Sequence, residues 1–326
     1  MHTAPHIVPM EFAGHEALQL RTRHGVAIVA LHGAHLLSWV PTGGREVLWL
    51  SPQALPEPAS IRGGVPVCWP WFATQRMPAG AMQHGPLRNL PWQVQAVHTC
   101  GDQEVSLTLH PCLEREPRLM EWAPGLQVAL RITLGAALTQ TLHTHNGGDQ
   151  PFTLTQGLHS YFAVGQATQV GIEGLQGLRY QERNAPESAV QHTPFALDAQ
   201  HPACDRIYDH LAIGPGVQAA LGEPALAQTD AADAQAAGHR YTLVDTVWQR
   251  RIQIDTQGSQ SVVVWNPGSA GARAMADVPD AAWQDFFCVE AANAGVDAVQ
   301  LAPGAAQPGT DYSDNFLALR TSGGHK

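Results

Sequence analysis

Apolar residues along this chain recur in short runs, mostly in alternation with polar ones, and glycine and proline punctuate them throughout. A period of two is the signature of strands, whose successive side chains face opposite ways. It predicts strands at 17–22, 27–30, 35–40, 46–50, 92–98, 104–110, 126–134, 137–145, 168–172, 240–244, 251–257, 261–264 and 286–291. LQVALRITL and the following LTQTLHTHN read as a hairpin turning near Gly135 and Ala136. Helical periodicity is scarce; its best instance is a short turn at 279–285, with acidic residues near its start. Many strands without alternating long helices predict an all-β chain, a sandwich or a large antiparallel double sheet.

The alternation is most informative at 151–165, PFTLTQGLHSYFAVG. Read as one strand, it sends Phe152, Leu154 and Leu158 to one side and Thr153, Thr155, Gly157, His159 and Tyr161 to the other. Small residues before His159 and an aromatic after it would suit the floor of a polar ligand site. An imidazole satisfied by hydrogen bonds inside a sheet is the plainer alternative. In DFFCVE, residues Phe286, Cys288 and Glu290 share one strand face. A carboxylate after so apolar a run is expected to be buried, which raises its pKa toward that of a general base. A buried ion pair with an arginine is the alternative.

Two loops add cations and aromatics. Residues 60–72, SIRGGVPVCWPWF, place Arg62 before two glycines and then Trp69 and Trp71. Residues 83–92, QHGPLRNLPW, place His84 before a glycine and Arg88 four residues on. Glycine lets backbone approach a ligand, and a guanidinium can hold a phosphate through two hydrogen bonds. Surface arginines beside core tryptophans would read the same way. His143 and His145 form an HxH pair that could ligate a metal, although with 17 histidines such a pair arises easily. Asp205 with Arg206 in CDRIYD, Asn266 in VVVWNPG and Asp277 in MADVPD could line a pocket or cap turns.

Composition narrows the chemistry. The only lysine is Lys326, so Schiff-base chemistry and a Walker A lysine lose their residue. Neither GxGxxG nor GxxxxGK occurs. A net charge of −10 argues against nucleic acid or an anionic membrane surface as partner. No apolar run approaches the length of a bilayer span. Five cysteines without a CxxC, and no leader pattern at the start, fit a reducing cytoplasm. Without a convincing linker, the 326 residues are expected to form one domain and a monomer, carrying an exposed alanine-rich insertion at 214–238.

In order along the chain, GAHLLSWVP, IRGGVPVCWPWF, HGPLRNLPW, LTQGLHSYFAVG, CDRIYD, VVVWNPG, FFCVEAANA and LAPG resemble the hexose-6-phosphate mutarotases (glucose-6-phosphate 1-epimerases) of the aldose 1-epimerase superfamily. The resemblance spans roughly residues 11–319. It implies a galactose-mutarotase-like β-supersandwich of large antiparallel sheets with few short helices. It also implies no cofactor, no metal, and a sugar phosphate as the small-molecule partner. By the same resemblance His159 and Glu290 are the catalytic pair, and His84 is a second active-site histidine. Arg62 and Arg88 hold phosphate, and Asp205 contacts sugar hydroxyls. The implied reaction is interconversion of α and β anomers by acid–base ring opening and reclosure. A mutarotase of unphosphorylated aldoses, a non-catalytic carbohydrate-binding sandwich and a metal-dependent isomerase using His143 and His145 are the competing expectations.

Overall fold

The computed structural model describes residues 6–183, 185, 187–200, 202–210, 238–304 and 312–323. Nearly all of the expected 214–238 insertion lies outside these residues. Two large sheets dominate. The nine-stranded sheet runs Phe195–Ala196, Val170–Glu173, Gly238–Asp245, Arg250–Gln257, Tyr312–Gly323, Leu138–Asn146, Leu126–Leu134, Glu104–Pro111 and Trp92–Cys100. The eight-stranded sheet runs Ala189–Val190, Arg179–Glu182, Cys204–Asp209, Ser261–Asn266, Phe286–Asn293, Gln156–Leu158 and Val67–Cys68, with Tyr161–Ala163 also pairing Phe286–Asn293. Pairing is antiparallel. A four-stranded meander, His6–Phe12 to His35–Pro41, packs its Leu20, Ala27 and Val29 into the same core.

Alternation decides what lies between the sheets and what lies outside. Along Phe286–Asn293, Phe287, Val289 and Ala291 enter the main core with Val262 and Val264 of the neighbouring strand and Leu243, Ile252, Leu317 and Leu319 of the opposite sheet. Each of these side chains larger than alanine contributes about 1.5–3 kcal/mol by leaving water. Their alternates Phe286, Cys288, Glu290 and Ala292, with Val263 and Trp265, face outward from the sandwich. That outward face is nonetheless buried, because loops cover it. Every residue of Phe286–Asn293 is buried. The site is built under that cover.

The 126–134 and 137–145 hairpin is present as Leu126–Leu134 and Leu138–Asn146. Two expectations are corrected. Residues 151–165 are not one strand but three short ones, Phe152–Leu154, Gln156–Leu158 and Tyr161–Ala163; the first leaves the large sheet to pair with Val299–Leu301. The turn at 279–285 tightens to a 3-10 turn, Ala282–Gln284, whereas five- and six-residue helices form at Arg118–Trp122 and Gly268–Arg273. Residues 46–50 pair only through isolated bridges at Leu48 and Leu50.

Candidate active site

Gln156–Leu158 and Tyr161–Ala163 both pair with Phe286–Asn293 in one unbroken register, Leu158 opposite Ala291 and Tyr161 opposite Cys288. That register sets His159 across from Glu290. His159 Nε2 stands 3.4 Å from Glu290 Oε1, with the two side chains 10% and 1% exposed. The gap is longer than a normal hydrogen bond. His159 Nδ1 and Glu290 Oε2 are both buried without a partner. The imidazole is clamped flat by Tyr161, ring centres 4.9 Å apart and 12° from parallel, while Trp265 meets it edge-on. Gly157 leaves room for Phe72, whose ring a Cβ there would approach to 2.9 Å.

The covering loops supply the other walls. His84 takes a left-handed backbone conformation (φ 66°) just before Gly85, where a Cβ would strike the Trp69 carbonyl at 1.8 Å. Its Nδ1 accepts the backbone N–H of Ala73 at 3.2 Å. Nδ1 must therefore carry the lone pair, and the neutral ring presents Nε2–H as a donor. Burial, with Arg88, Arg62 and Arg183 nearby, pushes the His84 pKa down to about 3. Arg62 is tied at both ends of its fork: Nε donates to Asp277 Oδ2 at 2.9 Å and Nη1 to the Tyr161 hydroxyl at 2.9 Å. Arg88 is freer. Its Nη2 donates to the Gln83 carbonyl at 2.9 Å, and its Nε has no acceptor.

Arg62, Gln83, His84, Arg88, His159, Tyr161, Arg183, Asp205, Trp265 and Glu290 are among the residues lining one cavity of about 210 Å³. All six side chains named from the sequence meet there. Burial raises the Glu290 pKa well above its ordinary value, with a further upward push from Asp205. Burial, then His84, Arg62 and Arg88, lowers that of His159. Asp205 is itself raised by burial and held by Arg183, whose Nη1 donates to it at 3.1 Å.

Other sequence candidates lie elsewhere. Asp277 holds Arg62, and Asn266 caps the Gly268 N–H at 2.9 Å while donating to the Trp283 and Phe286 carbonyls. Arg206 turns to Glu182 and the Tyr180 ring. His143 bonds Asp314 at 2.6 Å on the nine-stranded sheet. Among the described residues the HxH pair gathers no third ligand; the one group of potential ligand atoms within 4.8 Å of one another is His159, Cys288 and Glu290. Sequence reasoning missed Trp265, Phe72 and Arg183. The strand alternation of SVVVWN could have placed Trp265; nothing local marks Arg183, whose position follows from pairing of Arg179–Glu182 with Cys204–Asp209.

Residues 16–308 match the family model described as Aldose 1-epimerase. A protein of Escherichia coli (strain K12) with the provisional name glucose-6-phosphate 1-epimerase is 34% identical, covering 82% of this chain and 80% of its own. One of the same provisional name from Cenchrus ciliaris is 28% identical over 86% of this chain and 79% of its own. Among solved structures, a provisionally named mutarotase from Salmonella typhimurium superposes with a TM-score of 0.77 at 27% identity, over 97% of this chain and 94% of that one. A galactose mutarotase-like protein from Clostridium acetobutylicum shares the fold at 14% identity, with a TM-score of 0.67 over 98% and 99% of the two chains.

Proposed function

The chain belongs to the aldose 1-epimerase family, and on that premise we propose that it interconverts the α and β anomers of a D-hexose 6-phosphate, glucose 6-phosphate foremost. The observation that carries the reading is a carboxyl and an imidazole 3.4 Å apart in a cavity that three arginines also line. Anomerisation needs a base for the C1 hydroxyl proton and an acid for the ring oxygen on the same carbon. Glu290 takes the first proton; His159 gives the second. The C1–O5 bond breaks, the C1–C2 bond turns, and reclosure on the other carbonyl face runs the transfers backward.

The opposed pKa shifts suit this exchange. Burial moves the carboxyl up from its ordinary range and the imidazole down from its own, which loosens the imidazole's usual hold on the proton of the pair. One shared proton then passes from His159 through the sugar to Glu290 without changing the net charge of the buried pair. Neutral His84 donates from Nε2 to the ring oxygen or a neighbouring hydroxyl. Arg88, with Arg62 behind it, holds the phosphate and converts remote binding into orientation at C1.

Exchange NMR of the anomers, run for glucose 6-phosphate and free glucose at equal concentrations, tests the reading. Catalysed exchange of the phosphorylated sugar in excess of the free sugar is expected. Faster exchange of free glucose would overturn the phosphate assignment, and no catalysed exchange of either sugar would overturn the reading.

A further inference from the structure

Cys288 has no part in the chemistry above, yet it shares a strand face with Glu290, two residues along, and its backbone lies opposite Tyr161. Its sulfur, a His159 nitrogen and a Glu290 oxygen lie within 4.8 Å of one another, and all three residues are buried. We propose that these three side chains form a binding site for zinc, and that zinc is a reversible inhibitor which occupies the catalytic pair. This site goes beyond the sugar reading: its binding arm does not depend on what the substrate is, and only its inhibition arm does.

Three donors of nitrogen, oxygen and sulfur type match the preferences of zinc, with the cavity side left open for a fourth. Metal–donor lengths of about 2.0–2.3 Å place tetrahedral neighbours roughly 3.3–3.7 Å apart. The His159–Glu290 separation of 3.4 Å already falls in that window. The sulfur, within 4.8 Å of both atoms, closes inward to complete the set. The second carboxylate oxygen, Glu290 Oε2, is buried without a partner, so the carboxylate has coordinating capacity that no protein group uses. On ligation the Cys288 thiol gives its proton to solvent and binds as thiolate. Thiolate and carboxylate together then offset the charge of the ion. The guanidinium groups of Arg62 and Arg88 on the cavity wall oppose it and temper the affinity. A zinc ion there would take the base and the acid at once.

The test uses the full-length protein stripped with a chelator and titrated with Co²⁺, a spectroscopic stand-in for zinc. The expected result is sulfur-to-cobalt charge-transfer absorption saturating at one equivalent and displaced by Zn²⁺. Cys288→Ala should lose that absorption, and Cys100→Ser, which alters the exposed thiol, should keep it. Zn²⁺ should inhibit anomer exchange reversibly by chelator, and Cys288→Ala, referred to its own metal-free rate, should need about tenfold more zinc or beyond. If Cys288→Ala does not fold, Cys288→Val serves in its place. Absence of the charge-transfer absorption, or its persistence in the folded Cys288 variant, overturns the site. A chain that gives the cobalt absorption but exchanges no sugar loses the functional reading and keeps the metal site.

Discussion

His159 and His143 come from alternating segments of the two large sheets, and each has a carboxylate beside it. The pair on the nine-stranded sheet is the closer one, 2.6 Å between His143 and Asp314 against 3.4 Å between His159 and Glu290. Proximity therefore does not distinguish them. Cover does: His143 and Asp314 are 42% and 45% exposed, His159 and Glu290 only 10% and 1%. Water screens the first pair, leaving an ordinary surface contact. Loops carrying Arg62, His84 and Arg88 roof the second, and burial there favours the uncharged form of both groups, raising the carboxyl pKa and lowering that of the imidazole. The same residue types are roofed on one sheet and open to water on the other, and the roofed pair is the one proposed for proton transfer.

The comparison breaks most sharply at the roofed pair. Glu290→Gln and His159→Asn should each lower kcat by about 10²–10⁴, with far-ultraviolet circular dichroism unchanged. A variant of either that keeps more than a tenth of wild-type turnover removes that residue from proton transfer.

The roof itself is the next point to strike. Arg88→Ala deletes a guanidinium with spare donors, and charge-assisted hydrogen bonds are worth about 1.5–3 kcal/mol, so kcat/KM for glucose 6-phosphate should fall roughly ten- to hundredfold. The rate on free glucose should barely move. Arg62→Ala should cost stability as well, because it strands Asp277, 13% exposed, and leaves the Tyr161 hydroxyl without its donor. Equal losses on both sugars for Arg88→Ala would mean that it does not read phosphate.

A finer cut tests the proton affinities. Asp205 favours the proton-bound form of Glu290, so Asp205→Asn lets the proton leave at lower pH. Both limbs of the kcat/KM profile should shift toward acid, as properties of the coupled pair rather than of one residue. The shift should be small, since Arg183 partly neutralises Asp205 in the wild type. A shift toward base would contradict the assignment of Glu290 as the group that Asp205 biases.

The two sheets also differ in how much of them the sequence disclosed. Leu126–Leu134 and Leu138–Asn146 keep strict alternation because one face meets the core and the other meets solvent, and the sequence places the first strand to the residue and the second one residue early. Phe286–Asn293 was legible by face, placing Glu290 and Cys288 together, because its two sides bury different partners. The segment 151–165 was misread as continuous: Thr155 spends its hydroxyl on the Phe72 N–H, and the chain changes sheets there, a tertiary event without local signature. CDRIYD, whose Asp205 and Arg206 the sequence offers as pocket lining or turn caps, is an interior strand, with Arg206 satisfied by Glu182 across the sheet. The site residues themselves came mostly from family resemblance; no periodicity says that loops at 62, 84 and 88 fold over one strand face.

The smallest expected effect is the control on the open sheet. His143→Ala removes a ring from the outer face of Leu138–Asn146 and leaves Asp314 to water. Asp314 is solvated already, so no buried charge is stranded, and the cavity that would shrink or collapse around a lost core side chain does not exist here. Stability should stay within about 0.5 kcal/mol of wild type by denaturant melt, and anomer exchange should be unchanged. The variant is informative because it performs on the closer imidazole–carboxylate pair the same deletion that His159→Asn performs on the wider one. If His143→Ala impaired exchange as strongly, burial would not be what separates the two pairs, and the catalytic assignment would have to include the nine-stranded sheet.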